Sequence, residues 1–76
     1  MPLPAAATEQ ARAALAAAGI TGLQISSQRT GTDYVTTWVR AGVGIAGRVL
    51  SVLRDLPGAV TGGSAPEVWV RRRVDG

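Results

Sequence analysis

Tyr34-Val35-Thr36-Thr37-Trp38-Val39-Arg40 is the stretch on which the fold turns. β-Branched and aromatic residues fill it, and they alternate in the manner of a strand with one buried face. Val35, Thr37 and Val39 share one side, while Tyr34, Thr36, Trp38 and Arg40 share the other. A later stretch, Val68-Trp69-Val70-Arg71-Arg72-Arg73-Val74, repeats the arrangement. Val68, Val70 and Val74 fall on one side of it, with Trp69, Arg71 and Arg73 opposite. Trp38-Val39-Arg40 and Trp69-Val70-Arg71 echo one another. Arg72 is the misfit, because it has the parity of the valines. A bulge, a frayed strand end or a place at the edge beyond the helices would each accommodate it.

Upstream of the first stretch, Leu23 and Ile25 alternate with Gln24, Ser26 and Gln28, the pattern of another half-buried strand. Thr30-Gly31-Thr32-Asp33 is turn chemistry, so the two strands read as an antiparallel hairpin. Pro2 and Pro4 mark a frayed start, and residues 75–76 a frayed end. Residues 5–18 are alanine-rich, with Glu9, Gln10, Arg12 and Leu15 as further helix formers and Gly19 as the stop. A shorter helix from Glu9, capped by Thr8, is the alternative. Ala11, Ala14, Leu15 and Ala18 form a small-residue stripe that lets this helix lie close on a sheet.

Residues 42–56 return to helical spacing. Ile45, Val49, Val52 and Leu56 make one apolar stripe, Ala46, Leu50 and Leu53 its neighbour, and Pro57-Gly58 the stop. Residues 59–61 read as a short strand, 62–66 as a flexible turn and 68–74 as the last strand. The expected fold is therefore a single α+β domain over residues 1–76 in the order α-β-β-α-β-β. Its sheet is four-stranded and mainly antiparallel, with two helices on one face. Each half runs helix, stop, strand, turn, strand, in the manner of a duplication.

Two helices cover one side of such a sheet and leave the other open. The open side is expected to carry Tyr34, Trp38, Arg40, Trp69, Arg71 and Arg73, with Gln24, Ser26 and Gln28 beside them. All three aromatic residues of the chain lie in that set. Tryptophan, tyrosine and arginine are the residues enriched at protein hot spots, and a small domain gains stability by burying an open face in a twin. Rings on a sheet flanked by arginines also stack bases and hold phosphates, an arrangement that resembles the logic of RRM-type sheets. A protein partner, including a second copy of the chain, comes first among the expected partners, and single-stranded nucleic acid follows closely. Inverted parity, or tryptophans folded over the rim as ordinary packing, is the plain alternative.

Composition argues against chemistry and names no positive activity. The chain has 76 residues, 46% hydrophobic and 17% charged, with no cysteine and no histidine. Disulfides and thiolate metal sites are thereby excluded, and the commonest general base and zinc ligand is missing. Every basic residue is arginine, so Ser26, Ser27, Ser51 and Ser64 have no histidine or lysine to activate them. An enzyme, a cofactor and a metal are not expected. Residues 1–33 sum to zero charge (Arg12 and Arg29 against Glu9 and Asp33). Residues 34–76 carry the whole +3, six arginines against Asp55, Glu67 and Asp75. This asymmetry points to an anionic partner of the second half, although a GC-rich genome also favours arginine, alanine and glycine.

Gly42-Val43-Gly44-Ile45-Ala46-Gly47 spells G-x-G-x-x-G, but no parallel βαβ context accompanies it. Glycines that permit close packing at a helix start are the expected reason for it. Gly44-Ile45-Ala46-Gly47, followed by Leu50, Leu53 and Pro57-Gly58, resembles a KH-domain core in spacing. Ile45 and Ala46 stand where that motif places basic or polar residues, so no residue role is carried over. No basic start precedes an apolar run, and the longest apolar stretch, residues 41–53, contains Arg48. A cytoplasmic protein with no membrane contact, accessory or regulatory in role, is expected.

Overall fold

A computed structural model describes residues 4–74. Its elements run α1 (Pro4–Ala17), β1 (Ile25–Thr30), β2 (Tyr34–Arg40), α2 (Ala46–Arg54), β3 (Val60–Ser64) and β4 (Glu67–Arg73). The strands form one antiparallel sheet in the order β1-β2-β4-β3, so β2 and β4 are central. This is the expected α+β fold. The ends expected to fray lie mostly outside the described residues, but Pro4 does not fray. It opens α1, where its missing N–H costs nothing and its fixed φ suits the first turn.

Both helices pack on one side of the sheet. Val35, Thr37 and Val39 of β2 and Val68 and Val70 of β4 are buried there, as alternation requires. α1 contributes Ala7, Ala11 and Leu15, spaced four apart so that they meet the sheet on one stripe. α2 contributes Ala46, Val49 and Leu53. The main core joins Leu15, Val39, Val49, Leu53, Val68 and Val70.

Beneath the first half of α1 the filling changes. Ala7, Val35 and Val74 make a small separate cluster. Beside it the hydroxyls are linked in a chain. Thr8 Oγ1 donates to Ser27 Oγ at 2.7 Å, and Ser27 and Thr37 share a second hydrogen bond of 2.7 Å. Thr8 is thus an interior helical residue facing the sheet, not an N-cap.

Arg72 sits in this polar layer. The β2–β4 register continues unbroken to Tyr34↔Arg73, so there is neither bulge nor fraying. The side chain is 8% exposed and donates from Nη2 to Gln10 Oε1. Burial lowers its pKa from the usual arginine value. Arginine lies so far above neutrality that the group stays charged. The misfit is therefore a buried cation roofed by α1 and partnered by an amide oxygen.

Several element boundaries differ from expectation. α2 begins at Ala46 rather than at residue 42, because residues 42–45 form a turn whose Gly42 carbonyl accepts from Ile45 N and Ala46 N. Glycine is a poor helix interior, and two fall in this segment. A Cβ on Gly42, Gly44 or Gly47 would meet nothing within 4 Å, so close packing is not their reason. β3 extends through Gly62, Gly63 and Ser64, leaving only Ala65 and the cis-Pro66 as the turn.

Candidate functional site

The helix-free face is built on the two central strands. Trp38 and Trp69 are directly opposed in the β2–β4 register. Arg40 lies two residues beyond Trp38 and Arg71 two residues beyond Trp69. Because the strands are antiparallel, the two arginines fall on opposite sides of the tryptophan pair. The repeated Trp-Val-Arg sequence thus becomes a near two-fold arrangement centred on the indoles. Its symmetry is broken at the partner positions: Thr36 faces Arg71, and Glu67 faces Arg40. β1 adds Ser26 opposite Trp38 and Gln28 opposite Thr36.

Two concavities result, one on each side of Trp38. The first, about 320 Å³, is lined by Thr30, Tyr34, Thr36, Trp38, Trp69 and Arg71. The Arg71 guanidinium lies over the Tyr34 ring with its carbon 4.4 Å from the centroid, a cation–π stack. The stack buries Arg71 Nε without a hydrogen-bond partner. Thr36 is 7% exposed and floors the hollow, and its hydroxyl is occupied by Thr30 at 2.8 Å. The second concavity, about 340 Å³, is lined by Gln24, Ile25, Ser26, Trp38, Arg40 and Glu67.

Tyr34, Trp38, Trp69 and Arg71 therefore come together in one hollow, while Arg40 joins Trp38 in the other. Arg73 is on the same face, opposite Tyr34 at its far end, and lines neither. Trp38 and Trp69 are half-buried on this face, not sealed beneath the helices. Sequence reasoning passed over Thr36, which shares parity with the chosen residues, and Thr30, which the hairpin register places beside Tyr34.

Gly62 was invisible to it for a different reason. The residue pairs with Trp69, and the indole leans across it. A Cβ there would lie 2.8 Å from the indole Cε2, so only glycine leaves the ring its present seat. No local pattern announces such a contact.

Among the described residues no helix is long and apolar enough to cross a membrane. No group of His, Cys, Asp or Glu side chains among them could hold a metal. The chain matches no protein-family model, no curated protein and no solved structure.

Proposed function

We propose that this chain is a non-enzymatic binding module that works through the helix-free face of its sheet and takes single-stranded nucleic acid. The observation that carries this reading is the opposed Trp38–Trp69 pair with an arginine on either side, set on the two central strands. Rings on a sheet stack bases at about 1–3 kcal/mol each, and arginine supplies both phosphate contacts and planar stacking. Placement on the middle of a four-stranded sheet is also how RRM sheets present their stacking rings. The surrounding side chains include Ser26, Gln28, Thr30 and Thr36. Val43 and Val60 are the exposed large hydrophobics of the described residues, and only Val60, 50% exposed, falls on this face. Among the described residues the face carries Arg40, Arg71 and Arg73 against Glu67, a polar and basic surface that suits an anionic strand better than an oily one.

The second reading is a protein interface, with a second copy of the chain as the first candidate. The residue types favour it, since Trp, Tyr and Arg dominate hot spots. Tryptophan fluorescence during titration with a single-stranded decamer, at low and high salt, separates the two. Quenching that weakens steeply with salt supports the nucleic-acid reading. Unchanged emission at low salt, together with a dimer by light scattering that Trp69→Arg dissociates, would replace it with self-association.

A further inference from the structure

We infer that Trp38 divides the face into two unequal nucleotide positions, one at Arg71 that holds backbone and one at Arg40 and Glu67 that reads a base edge. This rests on the nucleic-acid reading above. The two hollows have nearly the same volume, about 320 and 340 Å³, and Trp38 is the residue common to both linings. Thr36 and Arg40, which mark their centres on β2, stand four residues apart, about 13 Å along an extended strand. Stacked neighbours in a duplex are only about 3.4 Å apart. An unpaired strand crossing both hollows is free to part its bases around the Trp38 indole and stack on it.

The chemistry of the two hollows differs. Among the described residues no carboxylate lines the Arg71 side, the two threonine hydroxyls bond each other, and the guanidinium forms no hydrogen bond or ion pair. A phosphate finds positive charge there and, among the described residues lining the hollow, no competing acceptor of like sign. On the other side Arg40 is opposed by Glu67, with no ion pair joining them, and Gln24 and Ser26 complete the rim. A carboxylate beside the guanidinium repels phosphate. It accepts from an exocyclic amino group, as acidic side chains do from cytosine. The Arg40 side is thus suited to a base that carries an amino group and discriminates against thymine or uracil, which carry none.

Binding of oligo-deoxycytidylate and oligo-thymidylate decamers to the full chain and to Glu67→Ala and Arg71→Ala tests this, with circular dichroism as the check on folding. The unaltered chain is expected to prefer the cytidylate by about tenfold. Glu67→Ala should bring that ratio close to one. Arg71→Ala should weaken both ligands alike and lower the salt slope by about one. A base preference that survives Glu67→Ala, or equal affinity of the unaltered chain for both decamers, overturns the inference while leaving the nucleic-acid reading intact. Failure of both decamers to bind at low salt removes the reading and the inference together.

Discussion

Arg71 and Arg72 are neighbours in sequence and occupy opposite worlds in the fold. Arg71 lies on the helix-free face, stacked on Tyr34. Arg72 lies beneath α1, 8% exposed, with its cation facing Gln10. A run of three arginines reads as one basic patch, yet the pleat sends its members to alternate sides. Charge counted along a strand therefore overstates the charge available on a face. The same division separates the residues that hold this chain together from those proposed to meet a partner.

The harshest way to break that division is to truncate each side in turn. Leu53→Ala empties a fully buried position on the covered side and should cost about 3 kcal/mol, read as a lowered urea midpoint. Trp38→Ala on the other side should cost less stability while weakening oligonucleotide binding about tenfold or more. Equal destabilisation by the two would mean that the supposedly open face is core. The arginine pair sharpens the contrast. Arg71→Ala should reduce binding about tenfold, whereas Arg72→Leu should leave it unchanged. The latter should match or exceed the parent in stability, because it removes a buried cation whose desolvation is poorly offset.

Gly62→Ala probes the seat of Trp69 from the neighbouring strand. The added methyl displaces the indole, so the emission maximum should shift and stability fall by about 1 kcal/mol. An unaltered spectrum would show that the ring does not rest on β3. The smallest effect is expected at Ser27→Ala, which leaves the buried Thr37 hydroxyl short of a partner at about 1 kcal/mol or less. Oligonucleotide affinity should not move in that variant.

Alternation made most of this legible. The parity of Val35, Val39, Val68 and Val70 against Trp38, Trp69 and Arg71 located both faces, and helical spacing found Ala11 and Leu15 of α1 and Ala46, Val49 and Leu53 of α2, but missed Ala7 and placed the exposed Ala18 on the buried stripe. What escaped was set by contacts between segments distant in sequence. Arg72 could be explained only once Gln10 lay above it, and Gly62 only once Trp69 leaned across it. Thr36 looked like one more polar strand residue, yet the side chains around it bury it on the open face. The glycines of residues 42–47 failed in the opposite sense: a familiar spacing invited a packing role, but empty space surrounds the position of each absent Cβ.

The cluster that joins Ala7, Val35 and Val74 has one more consequence. It brings the start of α1 and the exit of β4 to the same spot, so a short linker could splice them. Opening the ring at Ala65-Pro66 instead would give a circular permutant reading strand, helix, strand, strand, helix, strand. That is the split βαβ succession, with every neighbour in the sheet retained. The path of the backbone and the layout of its layers are thus independent properties here, and the surface belongs to the layout.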